Sequence, residues 1–184
     1  MKAITLRHPW AFCVAHLGKP VENRDWTDAY AERIGLPETL GETIAIHGGA
    51  PVRPGRSEAW EQHCLEVAYI GKRILPNDPA AVDHLQAWNA RMGRRPTYED
   101  LVTPGIVAVT TLTHVTRASR SPWAVKGQLH LLLSGTVALP ESVPCRGALG
   151  LWEVPAEVEA QVLAQVHRMP VGATQVMTGE EWLR

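Results

Sequence analysis

The segment Arg7–Trp26 constrains the fold of this chain more tightly than any other. It reads RHPWAFCVAHLGKPVENRDW, and its order dictates a helix, a stop and an extended run. Proline suits the first turn of a helix, where its missing amide costs nothing, so the helix starts at Pro9. Trp10, Cys13, Val14 and Leu17 then recur at helical spacing and make one apolar stripe. Gly18 ends the helix, because glycine alone takes up the left-handed C-terminal conformation without strain. Pro20–Trp26 is extended, which turns Val21 and Asn23 one way and puts Glu22, Arg24 and Trp26 on the other face. The segment therefore has a packing half, the helix, and a chemical half, Lys19 to Trp26.

Around it the hydrophobic pattern sets out the rest. Ala3–Leu6 is a short strand, Tyr30–Gly41 is loop-like, and Thr43–His47 alternates as a strand that Gly48 and Gly49 break. Two helices follow at Ser57–Ile74 and Pro79–Met92. In the first, Ser57 is the N-cap and Trp60, Cys64, Val67, Ile70 and Ile74 form the inner face. Ile106–His114, Gln128–Leu133, Val137–Leu139 and Gly150–Val154 read as strands, and Pro155 opens a helix to about Arg168. The stretch 170–184 carries no assignment. This succession predicts an α+β fold with a largely antiparallel, curled sheet.

At 184 residues, 45% of them hydrophobic, one domain with one core is expected. No apolar run approaches the roughly 18–20 residues that cross a bilayer, and MKAITLRHPW has no signal-peptide pattern, so no membrane association and a cytoplasmic location are expected. Three widely spaced cysteines without a CxxC pair argue for reduced thiols. Eight histidines show no metal-ligand spacing, and no phosphate loop or dinucleotide fingerprint occurs, so no metal and no cofactor is expected. A net charge of −1 excludes a coat for long duplexes, whose affinity comes mostly from phosphate neutralisation. It leaves room for a local basic pocket.

ITLRHPWAFCVAHLGKPVENRDW resembles the opening of ASCH domains of the PUA-like superfamily, in which a helix starting PWA leads into GK-x-[VI]-E-N-R-x-W. GETIAIHGG, TPGIVAVTTLTHV and SPWAVKGQLHLLLSGTVALPESVPCRGALGLWEVP fit the same family in the expected order. The resemblance covers residues 1–155 apart from a helical insertion at about 50–100. It leaves a C-terminal helix and tail, 156–184, on the same domain. It implies a small mixed or antiparallel β-barrel flanked by helices, with a cleft beside the first helix. Family members are proposed to bind RNA or to act on modified nucleosides. One branch resembles an amidohydrolase of acetylated cytidine; its lysine maps to Lys19, and its threonine position holds Glu22 here.

The residues themselves offer matching chemistry. Lys19 is a base or nucleophile if desolvated, a point charge for an oxygen if solvated, or a plain surface lysine. Glu22 can accept from an exocyclic amine, Arg24 can clamp a phosphate or base edge, and Trp26 can stack on a base. Trp123, Lys126 and Gln128 place an indole, a cation and an amide within six residues, the composition of a nucleotide wall or of an anchored loop. His47 and Arg146, each beside glycine, are candidates for the same mouth. Lys72, Arg73, Arg91, Arg94 and Arg95 make the insertion the densest basic stretch, either a lid or a solvated face. Three functions follow. The first is a module that binds single-stranded RNA, other single-stranded nucleic acid or a modified nucleoside. The second is a metal-independent hydrolase, an amidohydrolase or ribonuclease, using Lys19 and Glu22. The third is a scaffold that recruits a protein partner through residues 57–95.

Overall fold

The computed structural model describes residues 1–168. Six strands form one mixed sheet: β1 (Lys2–Leu6), β2 (Val21–Arg24), β3 (Thr43–Gly48), β4 (Gly105–Thr116), β5 (Leu129–Val143) and β6 (Leu151–Glu153), in the order β2-β5-β4-β3-β1-β6. β1 and β3 run parallel, and every other neighbouring pair is antiparallel. The sheet curls into a half-barrel, with β2 and β6 as its end strands. Curvature comes from the long β4–β5 ribbon, whose register shifts three times. Gly135, at φ 59°, bends β5 in its middle without ending it. The strands expected at Gln128–Leu133 and Val137–Leu139 are therefore parts of one 15-residue strand, which begins at Leu129.

Alternation along the strands sorts the core into two faces. Ile4 and Leu6 of β1, Ile44 and Ile46 of β3, and Leu129, Leu131 and Leu133 of β5 pack with Ala11 and Val14 of helix α1 (Trp10–His16). The opposite face presents Ala3 and Ala45, which are register partners, and their small side chains give room to Val158 and Val162 of helix α6 (Ala156–Arg168). The tail expected beyond that helix lies outside the described residues.

The single apolar stripe expected for α1 is corrected to a helix buried on two sides. Phe12, Cys13 and Leu17 pack outward against Ile70, Ile74, Ala81 and Trp88 of the insertion. The insertion comprises α3 (Glu58–Tyr69), a π-helical turn at Ile70–Ile74, α4 (Pro79–Met92) and the short α5 (Tyr98–Leu101). Tyr30–Gly41 is not a loop throughout. The Thr27 side chain accepts the Tyr30 amide at 3.2 Å and caps α2 (Asp28–Arg33), and a 3-10 turn follows at Pro37–Thr39. Six helical residues are too few for a hydrophobic period to show.

The interface between α1 and the insertion also makes stability depend on pH. His16 packs against Phe12 and Trp88, with ring centroids 4.9 and 6.4 Å away. Burial lowers its pKa to about 4; nearby Arg91 adds to the effect and Asp100 opposes it. A depressed histidine is neutral in both folded and unfolded chains above about 6.5, and only the unfolded chain gains the proton readily as pH falls. Stability should therefore drop between about pH 6.5 and 4, by on the order of 2 kcal/mol at pH 4.5. Urea titrations at pH 7 and 4.5 measure this, and His16→Leu should shrink the difference.

Candidate functional site

The chemical half of the N-terminal motif forms a buried chain of charges. Gly18, at φ 66°, lies so close to His84 of α4 that an added Cβ would sit 2.6 Å from its ring, so the chain turns where only glycine fits. The turn sends the Lys19 side chain inward, where it is 2% exposed, over the face of Trp10 at 5.7 Å. Its Nζ donates to the Val21 carbonyl and, at 2.6 Å, to Glu22 Oε2. The other Glu22 oxygen lies 3.1 Å from Arg24 Nη2, which also donates to the Thr5 carbonyl at 2.8 Å. That contact ties end strand β2 to β1 beyond the last β1–β6 pair, Ile4 with Leu151. The shared face expected for Glu22, Arg24 and Trp26 is present, with the guanidinium 5.3 Å from the Trp26 ring centre.

Arg24 and Trp26 open onto a cavity of about 490 Å³. The end of β1 (Thr5, Leu6) and the residues just after β3 (Gly49, Ala50) line it. Trp26 and Tyr30, whose rings lie 5.5 Å apart, form one wall. Ala59, Gln62, His63 and Glu66 of α3 form the facing wall, and the loop 148–150 forms the rim. Glu66 is held by Arg7 at 2.8 Å and by Gln62 at 3.0 Å. His8 reaches the Gly49 carbonyl at 2.8 Å, and burial lowers its pKa, partly opposed by that contact. Neutral imidazole is thus its resting form at pH 7.

The α3 wall was not among the residues expected at the site. Of the inner face expected there, Ile70 and Ile74 are buried and Trp60 and Val67 partly so, but Cys64 is exposed, and His63 and Glu66 are buried in its place. Along α3 the side that carries Gln62, His63 and Glu66 faces the cavity rather than the apolar core, so polar residues stand on its inner face. The available signals were His63 and Glu66 three apart on a helix, and His8 inside the motif itself.

A second cavity of about 410 Å³ adjoins the first and shares Thr5, Gly49, Ala50, Ala148 and Leu149 with it. His47 and Arg146 line this one rather than the first. His47 meets the Cys145 carbonyl at 3.2 Å and the edge of Trp152, and burial lowers its pKa. Among the described residues, five buried side-chain polar atoms have no hydrogen-bond partner. Four belong to residues lining these cavities: His8 Nδ1, His63 Nδ1, Arg24 Nε and His47 Nδ1. Such atoms are rare in folded proteins, and four of the five gather at these two cavities.

The remaining expectations divide. Lys19 and Glu22 lie beneath the first cavity and line neither. Trp123 is not a pocket wall: it is 3% exposed, and its Nε1 donates to Asp78 at 2.6 Å, anchoring the insertion. Lys126 is exposed and Gln128 half-buried on that anchored loop, and neither lines either cavity. Lys72, Arg73, Arg91, Arg94 and Arg95 are exposed and also stand outside both cavities, with Arg94 paired to Asp100. Among the described residues there is no cluster of three or more metal-ligating side chains, and no helix is long and apolar enough to cross a membrane. No protein-family model matches the chain, and no curated protein matches it.

Proposed function

We propose that this chain is a PUA-like domain of the ASCH type and that its first cavity receives a nucleobase, of single-stranded RNA or of a modified nucleoside. The observation that carries this reading is the convergence, in one cavity, of a half-buried indole and polar groups of both kinds. A volume near 490 Å³ falls in the roughly 300–1,000 Å³ range of small-molecule sites. Trp26 supplies a face for stacking, and Arg24 stands over it as a cation and donor. Glu66 accepts hydrogen bonds as an exocyclic amine would require, while His8 and His63 serve as donor or acceptor according to tautomer. Arg7, exposed at the rim, suits a backbone phosphate.

The hydrolase reading through Lys19 and Glu22 has no comparable support, since the two are engaged with each other below the cavity floor. Their role in the proposed site is to hold Arg24.

Calorimetric titration with ribonucleosides and short single-stranded oligonucleotides tests the proposal. Trp26→Ala should weaken binding by about 1–3 kcal/mol, the range for base–aromatic stacking, and Trp26→Phe should restore much of it. Oligonucleotide affinity should fall as salt rises. Equal affinity for wild type and Trp26→Ala would exclude this cavity as the base site.

A further inference from the structure

We propose that the second cavity is a phosphate subsite, so that the protein prefers a phosphorylated nucleotide to a free nucleoside. This rests on the reading of the first cavity as a base site. The two cavities share a wall, so a nucleotide with its base beside Trp26 can reach the second cavity across Leu149. Leu149 is 94% exposed and gives the sugar an apolar ridge to lie on.

The chemistry of the second cavity fits an anion. No Asp or Glu lines it, whereas Arg146 does, and among the described residues Arg146 has no ion-pair partner. The amides of residues 146–149 donate to no backbone carbonyl among the described residues, so the protein's own backbone does not take them up, and all four residues line this cavity. Bare backbone forms much of the lining, because side chains do not fit. A Cβ on Gly147 would lie 2.5 Å from the His47 ring and 2.6 Å from Thr5 Oγ1, and one on Gly48 would lie 2.2 Å from the Thr103 carbonyl oxygen. His47 sets the loop's position, meeting the Cys145 carbonyl on one side and abutting Gly147 on the other. Guanidinium plus backbone N–H groups is a donor set that phosphate satisfies well.

The test compares the four common ribonucleosides with their 5′-monophosphates by calorimetry. In parallel, amide chemical shifts are followed on adding inorganic phosphate. Wild type should bind its preferred monophosphate about tenfold or more tighter than the matching nucleoside, the scale of a charge-assisted hydrogen bond. Arg146→Ala should bring that ratio towards one, and Arg146→Lys, a charge without the fork, should fall between. A ratio near one in wild type, or one unchanged in Arg146→Ala, overturns the subsite and leaves the base site standing if nucleosides bind. If nucleosides do not bind, but phosphate shifts the amides of 147–149 in wild type and not in Arg146→Ala, the base reading fails and the subsite stands. Failure of both ligands to bind overturns both.

Discussion

Glu22→Ala is expected to destabilise the protein by about 3–5 kcal/mol, the cost of removing one partner from a buried ion pair. In a chain of this length that is a fall in midpoint of roughly 6–20 °C. Glu22 is 7% exposed; it accepts from Lys19 at 2.6 Å on one oxygen and pairs with Arg24 at 3.1 Å on the other. Removing it leaves a buried ammonium whose one other hydrogen-bond partner among the described residues is the Val21 carbonyl. Lys19→Met should cost less, because the carboxylate keeps Arg24 and the new side chain is apolar and of similar length. Thermal and urea unfolding of the two variants ranks them. A change below 1 kcal/mol for Glu22→Ala would mean that the pair behaves as a surface ion pair and that the burial argument is wrong. Nucleobase affinity should fall with stability in Glu22→Ala, since Arg24 then loses the contact that turns it towards Trp26.

Where side-chain period alone determines structure, the chain was readable. The α1–β2 motif, β3, the first half of β4 and the two long helices of the insertion lie where period and capping residues put them, while the short α5 was not expected. Gly18 ends α1 as its type requires. The shared face of Glu22, Arg24 and Trp26 followed from spacing two, whereas the pairing of β2 with β5 did not show in the sequence. The unreadable parts share one cause: the deciding partner is distant in sequence. Glu66 faces inward because Arg7, 59 residues earlier, meets it across the cavity. A pattern search sees two polar residues and turns that side of α3 to solvent. The same limit explains Lys19. Its charge argues for exposure, and only the arrangement of Trp10, Val21 and Glu22 around it shows why burial is tolerated. The candidate residues therefore fell into three places: Arg24 and Trp26 on the first cavity, His47 and Arg146 on the second, and Lys19, Glu22, Trp123, Lys126 and Gln128 on neither.

Trp123 offers the clearest separation between a residue that builds the site and one that touches ligand. Its indole is buried among α1, β2 and the insertion, and its Nε1 donates to Asp78 Oδ2. Asp78 Oδ1 in turn accepts the Ala81 amide at 3.2 Å, so the same carboxylate caps α4. The Trp123 carbonyl accepts from Asn23 Nδ2 at 2.8 Å, and Asn23 Oδ1 accepts the Val125 amide at 2.9 Å. One tryptophan thus fastens the insertion to β2, on the face opposite Glu22 and Arg24. Trp123→Ala should cost about 3–5 kcal/mol through the lost aromatic packing and the cavity it leaves. Because the insertion carries Gln62, His63 and Glu66, loosening it should also weaken base binding. Trp123→Phe separates the two readings: it keeps most of the packing and loses the hydrogen bond to Asp78. A positioning role predicts intermediate stability and base affinity within a few-fold of wild type, a tolerance set by additivity between residues not in contact. Loss of binding in a Trp123→Phe protein that remains folded, with α3 amide shifts unchanged, would return Trp123 to the pocket wall.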